Sequence, residues 1–187
     1  MNEIASPGQL RMSLTRWAIF VIPLLVVLGS VSGLLSGSGS DNSWYQSLAK
    51  PSFNPPGWVF GVVWPILYAM QGLALAMILN ARGTSNRGIA IGLFVAQFAL
   101  NLICSPLFFG QHQVTLAFWV IIAMLLVAAA TTYYFWRIRP VAGMLMLPYL
   151  AWLCFASMLN FSIDKLNPDA ETLQNPVART QIGRGTN

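Results

Sequence analysis

Charge is what this chain has least of. Only 8% of its 187 residues are Asp, Glu, Lys or Arg, against about 25% in an ordinary soluble domain. None of them, nor the single histidine, falls inside any of the five long apolar runs. Proton relays, ion-coupled pumps and voltage sensors depend on ionisable groups in the membrane interior, so the gap argues against those classes. No nucleophile–base pair, paired carboxylates, metal-ligand cluster or phosphate loop can be assembled, which leaves no conventional catalytic constellation. Cysteine is scarce too: Cys104 and Cys154 both lie within apolar runs and read as small buried side chains, with no spacing for a disulfide framework or a metal site. His112 stands alone in a short turn and reads as solvent-facing, so neither metal nor cofactor is expected. Long basic runs are also missing. A pI near 9.7 comes from arginines placed singly or in pairs at helix ends, an anchoring pattern that provides no nucleic-acid surface.

What remains is apolar. Hydrophobic residues make up 56% of the sequence and mean hydropathy is +0.63. The five runs, at 17–35, 58–79, 89–109, 114–136 and 140–162, are each close to the roughly 20 residues needed to cross a bilayer core of about 30 Å. The alternating segments of a β-barrel do not appear. The first run is too long, and lacks a clear cleavage pattern, for a removed signal. The expected fold is therefore all-α, an integral membrane bundle of five transmembrane helices. A polar N-terminal tail (1–16) precedes the membrane domain (17–163), and a polar, flexible C-terminal tail (164–187) follows it. Arg11, Arg16, Arg82, Arg87, Arg137 and Arg139 share one side, while Lys50 and Lys165 lie near the spans on the other. Arg179 and Arg184 fall in the C-terminal tail. This bias puts the N-terminus on the cytoplasmic side.

The most individual stretch is 44–72, WYQSLAKPSFNPPGWVFGVVWPILYAMQG. Its first part belongs to a connection, 36–57, that is long for packed helices and carries Trp44, Tyr45, Leu48 and Phe53. A long loop with its own aromatics is expected to be a lid or binding loop, here a partly ordered cap stiffened by its prolines. In the following helix Phe60, Trp64, Tyr68 and Gln71 recur at steps of four, four and three and share a face. Trp64 lies about 9 Å deeper than the interfacial Trp58. Pro65 frees the carbonyl of Gly61, and Pro106 later frees that of Leu102; such carbonyls need donors inside a bundle or cavity. On the third span Gln97, Asn101 and Ser105 form a polar stripe whose default role is to pair with other helices, and Gly88, Gly92 and Ala96 form a small-residue face suited to close helix contact. A similar face, Gly29, Gly33 and Gly37, lies on the first. On the fifth, Trp152, Ala156 and Asn160 align with Leu159 beside them, and an indole near the middle of the bilayer next to an alanine makes a flat wall. Tyr133, Tyr134 and Trp136 read as an interfacial belt. Aromatic faces, amides and hydroxyls suit a largely apolar planar ligand held by a few orienting hydrogen bonds.

Three regions, the 44–72 stretch, FALNLICSPLFFGQHQ and LPYLAWLCFASMLNFSID, resemble the signature regions of the tryptophan-rich sensory protein and translocator protein family (TspO/MBR, the peripheral benzodiazepine receptor type), over about 17–167. The resemblance implies a five-helix membrane fold, often dimeric. Its pocket beneath the first loop takes porphyrins, sterol-like molecules and benzodiazepine-type drugs. Position by position, it implies that Trp64 and Trp152 are the pocket tryptophans, also those implicated in porphyrin breakdown in some bacterial members. Tyr45 matches the loop tyrosine, Asn101 the pocket amide and Ala156 the small position that shapes the pocket, with Phe60, Tyr68, Leu159 and Asn160 as neighbours. Gly88, Gly92 and Ala96 match a dimer contact. The sequence departs from the family pattern at Phe53, usually Trp, and at Leu102 and Cys104, indoles in animal members. The sterol consensus after the fifth helix lacks its Tyr. The expected function is a membrane receptor or sensor for protoporphyrin IX, haem-like tetrapyrroles and other flat hydrophobic molecules. The alternatives are light- and oxygen-dependent porphyrin degradation, or passive porphyrin or lipid transport.

Overall fold

Proline and glycine mark several helix ends: helices begin at Pro7, Gly57 and Pro140, and Gly37 and Pro106 lie just past the ends of two helices. A computed structural model describes residues 7–39 and 41–172, with side chains from Met12 onward. It contains α1 (Pro7–Leu35), α2 (Ser43–Ser47), α3 (Gly57–Asn80), α4 (Arg87–Ser105), α5 (Val114–Ile138) and α6 (Pro140–Leu166), with a π-helical turn over Pro106–Gly110 prolonging α4. The described residues contain no strand, and five helices are long and apolar enough to cross a membrane. The fold is all-α and the protein is an integral, multi-pass membrane protein. Residues 1–6, Ser40, the side chain of Arg11 and 173–187, with Arg179 and Arg184, lie outside the described residues.

α1 starts earlier than the expected 17. Pro7 occupies its first position, where the missing amide costs nothing and the fixed φ suits a helix. At the other end Gly37 has φ +64, with Gly37 N donating to Leu34 O and Ser38 N to Gly33 O at 3.1 and 3.0 Å. This is a Schellman cap, whose left-handed residue favours glycine. The end of α3 is closed by Arg87, whose Nε and Nη2 donate to the carbonyls of Ile78 and Leu79 at 3.0 and 2.9 Å. Only Arg139 separates α5 from α6, so the two must lie antiparallel and adjacent.

Around the bundle α1 packs on α3, α3 on α6, α6 on α5, and α5 on α4, which closes the ring against α1. Small residues set the tight crossings. Gly29 lies on the ring of Tyr68, and a Cβ on Gly72 would come within 2.8 Å of the Ile22 backbone. The carbonyl of Leu102, freed by Pro106, accepts from Ser32 Oγ on α1 at 2.7 Å, which supplies the donor that the sequence called for. Facing outward are Ile19, Phe20, Leu24, Val27 and Leu34 on α1. Apolar exposure of that kind fits a hydrocarbon surround and would be an aggregation liability in water.

The two halves of the bundle are filled differently. Toward the arginine end the interior is solid: Phe94 stacks on Phe98 and Phe135 at 6.2 and 5.8 Å, and Met124, Met146 and Tyr149 fill the spaces between helices. Gln97 Nε2 donates to Gln71 Oε1 at 3.0 Å, the interhelical partnership expected of that stripe. Toward the other end a second cluster, with Trp44, Leu48, Phe108, Val114 and Ile163, joins the connection 36–57 to the helix ends.

Candidate functional site

Within the connection 36–57 the described residues carry one short helix, α2, set among turns and extended chain. Asn42 accepts from Tyr45 N at 2.9 Å and so caps the short helix α2. That turn points Trp44 inward until only 1% of it is exposed. The Trp44 indole N–H donates to Ala170 O at 3.0 Å, one ring face stacks on His112 at 4.3 Å, and its edge meets Phe108. His112 is therefore half-buried against the lid, not free in solvent, and its left-handed backbone (φ 58) belongs to the turn that brings it there.

The chain after α6 completes the cap. Residues 164–166 continue the helix, and 167–172 turn back over the lid, where a free tail was expected. Asn167 accepts from Ala49 N and donates to Ala49 O, both at 2.8 Å. Glu171 and Asp164 accept from the Thr115 amide and hydroxyl at 3.0 and 3.1 Å. Burial raises the pKa of the Tyr45 phenol, an effect partly offset by its hydrogen bond to Asn54, and lowers that of the His112 imidazole. Both shifts favour the neutral form. Lys50, its own pKa lowered by partial burial, rests 4.7 Å from the Tyr45 ring centre.

Beneath the cap is a cavity of about 110 Å³. Of the residues singled out in the sequence, Tyr45, Phe60, Trp64, Trp152, Ala156, Leu159 and Asn160 line it, and Cys104, Ser105, Phe108, Phe109, Ile121 and Ile163 complete the wall. Trp64 and Trp152 meet edge to face at 6.2 Å, and Phe60 meets Trp152 at 5.7 Å. Tyr68 and Asn101 lie below the wall instead. Tyr68 stacks under Trp64 at 5.4 Å and donates to Asn101 Oδ1 at 2.8 Å, while Asn101 Nδ2 donates to Tyr149 OH at 3.4 Å. The Asn101 amide is thus held by two tyrosines and supports the floor without facing the cavity. Gly88, Gly92 and Ala96 stand on the outer surface of α4, exposed and with open space beside both glycines.

Four buried side-chain atoms have no hydrogen-bond partner among the described residues, Gln71 Nε2, Gln97 Oε1, Trp152 Nε1 and Asn160 Oδ1, and the last two belong to residues that line the cavity. An unmatched buried donor or acceptor costs about 1–3 kcal/mol, and a ligand with one acceptor and one donor would relieve both. A larger depression, about 560 Å³, lies outside the lid between Gly37–Ser43 and Phe109–His112. Glycines and small polar residues form most of its wall, and it lacks opposed aromatic faces. Sites for drug-sized ligands run to roughly 300–1,000 Å³, so the inner cavity must widen, by movement of the lid or its rings, to hold a multi-ring molecule. Among the described residues no group of three His, Cys, Asp or Glu could hold a metal.

The wall residues Cys104 and Ser105 follow Asn101 on the same helix, and Phe108 continues that stripe, so the sequence carried a signal for them. Ile121 is one apolar residue among many on α5, and nothing in its local pattern sets it apart.

Comparison with known proteins gives a consistent picture. The model of the TspO/MBR family matches residues 20–166. The chain is 33% identical over 159 residues to "Protein CrtK" of Rhodobacter capsulatus, covering 84% of this chain and 96% of that protein. It is 38% identical over 141 residues to the human "Translocator protein" (73% and 82%) and 36% identical over 153 residues to the "Tryptophan-rich sensory protein" of Cereibacter sphaeroides (81% and 92%).

Proposed function

Since the chain belongs to the TspO/MBR family, we propose that it is a membrane receptor that binds tetrapyrroles, such as protoporphyrin IX and haem-like molecules, beneath its lid. Other flat hydrophobic molecules, sterols and benzodiazepine-type drugs among them, share the same site. The observation that carries this reading is the pairing of Trp64 with Trp152 at the cavity wall, 6.2 Å apart and nearly perpendicular. Two indoles from different helices give a flat ligand one face to stack on and one edge to abut, worth about 0.5–1.5 kcal/mol per aromatic pair beyond burial. Tyr45, Phe60, Ala156, Leu159 and Asn160 are the remaining proposed contacts, with Tyr68 and Asn101 holding Trp64 in place from below. Titrating the purified protein with protoporphyrin IX while following tryptophan fluorescence tests this. Saturable quenching is expected in the native protein and its loss in a Trp64→Ala, Trp152→Ala double variant; equal quenching in both would sink the assignment.

The same indole contact favours a second reading, in which bound porphyrin is degraded in light with oxygen as the oxidant. It predicts spectral bleaching under illumination faster than that of porphyrin in detergent alone, and the absence of any excess would remove it. The exposed Gly88, Gly92 and Ala96 face would meet a second copy in a homodimer, where absent side chains allow backbones to approach closely. The arginines gathered at the turn side put the N-terminus in the cytoplasm. Tagging each terminus and probing its accessibility tests that orientation.

A further inference from the structure

The arginines at the solid end of the bundle are not used alike. Arg87 commits its guanidinium to the last carbonyls of α3. At the corner between α5 and α6 the opposite holds for Arg139, whose backbone is fully engaged: its amide donates to Phe135 O at 2.7 Å, and its carbonyl accepts from Ala142 N and Gly143 N at 2.9 and 3.2 Å. The guanidinium itself is exposed and has no partner among the described residues. The backbone there is fixed and the charge is free.

The last turns of α5 set three more groups beside it. Tyr133, Trp136 and Arg137 fall at i, i+3 and i+4 and so share a face, and all three are exposed. The Arg137 guanidinium rests 6.0 Å from the Tyr133 ring centre. A Cβ on Gly143 would meet the Trp136 Cα, Cβ and ring at 2.8 Å, so the absence of a side chain there lets the indole seat on α6. Neither the Tyr133 hydroxyl nor the Trp136 N–H has a partner among the described residues. Next to this corner Val141 and Met144 are exposed and apolar. Guanidiniums, then an indole and a phenol, then apolar side chains follow the order of polarity met in passing from a lipid headgroup to its acyl chains.

The surrounding charge has one sign. Arg16 and Arg82 are exposed at the same end of the bundle, and the described acidic residues, Asp41, Asp164, Asp169 and Glu171, all lie at the lid end. A guanidinium matches a phosphate through two parallel N–H bonds, whereas no described carboxylate at this end can take the ammonium of a zwitterionic headgroup. We propose that the α5–α6 corner binds one anionic phospholipid, with Arg137 and Arg139 on its phosphate. Trp136 and Tyr133 donate to its ester and glycerol oxygens, and an acyl chain lies along Val141 and Met144. A basic side chain beside an anionic headgroup favours it about five-fold, so the pair gives a preference of about 25-fold over a neutral lipid with the same chains. The lipid braces the hairpin that carries Phe135 into the solid half, and the site is separate from the cavity.

Native mass spectrometry of the purified protein in detergent, with dioleoyl phosphatidylglycerol or dioleoyl phosphatidylcholine added, makes the test. One phosphatidylglycerol should be retained about 25-fold more tightly than phosphatidylcholine, and raising the ammonium acetate concentration should narrow the gap. Arg137→Gln and Arg139→Gln should each lower phosphatidylglycerol affinity about five-fold and leave that for phosphatidylcholine unchanged, which also shows that the corner is still folded. Arg82→Gln, which removes an exposed arginine from the connection between α3 and α4, should alter neither. Inorganic phosphate, having no acyl chain, should not displace the lipid. Equal retention of the two lipids by the native protein would overturn the proposal, as would equal losses of both in the Arg137 and Arg139 variants. So would the same loss in Arg82→Gln, the mark of a diffuse positive surface, or displacement by inorganic phosphate, the mark of a bare anion site.

Discussion

The two ends of this bundle are built on opposite plans from similar amino acids. At the arginine end the aromatic residues are spent on each other: Phe94, Phe98 and Phe135 stack in parallel, and the interior is filled. At the lid end Trp64, Trp152, Phe60 and Tyr45 stand around a space, and the hydrogen bonds that would normally tie such a region together run in the cap above it. One half is packed solid between the helices; the other encloses a space beneath a cap that is tied to the helix ends. The Tyr68–Asn101–Tyr149 chain lies between the two and joins α3, α4 and α6.

That division can be broken most severely in the solid half. Phe135→Ala removes a ring with 0% exposure, and deletions of that kind cost about 3–5 kcal/mol. A denaturant melt should show the loss, while the molecules that remain folded keep their porphyrin affinity. Next comes the boundary. Gly29→Ala drives a methyl into the Tyr68 ring, and overpacking typically costs about 1–3 kcal/mol. Because Tyr68 supports Trp64, this variant should lose both stability and porphyrin binding, the one substitution to register in both assays.

Within the cap, Asn167→Ala removes both bonds to Ala49, at about 0.5–1.5 kcal/mol each. Hydrogen exchange at the Ala49 amide should quicken and porphyrin association should accelerate, with the global melt little changed. The smallest effect on stability is expected in the cavity itself. Ala156→Leu adds side chain where about 110 Å³ is open, so stability should shift by less than about 1 kcal/mol. Porphyrin binding should nevertheless fall steeply, as the titration would show.

What could be read from the sequence, and what could not, follows the reach of the interactions. Five spans were legible because apolar length is a local property. So were the Trp64 and Trp152 faces, since helical spacing puts Phe60 with Trp64 and Ala156 and Asn160 with Trp152. The donor to Leu102 O was foreseen as a need, and only the structure names Ser32. The turn 167–172 reads as free tail in the sequence because its polar composition hides the long-range contacts that fix it, among them the Trp44 indole on Ala170 O across 126 positions of chain and the Asn167 bonds to Ala49. His112 was misjudged for the same reason. A histidine in a short turn has no local mark that an indole from the lid will stack on it. Asn101 is a pocket amide by family resemblance, while the stripe it belongs to reads as interhelical, and its amide is bonded to two tyrosines from other helices.

The central claim is that a ligand reaches the cavity under a lid fastened by the chain after α6. A reversible lock tests it most directly. Cysteines at positions 49 and 167, in a background with Cys104→Ala and Cys154→Ala, would replace the Ala49–Asn167 bonds with a disulfide. Stopped-flow mixing with protoporphyrin IX should then show association slowed about ten-fold or more in the oxidised protein, the equivalent of about 1.4 kcal/mol or more on the barrier, and restored on reduction. Association equally fast with the lock closed would contradict the account.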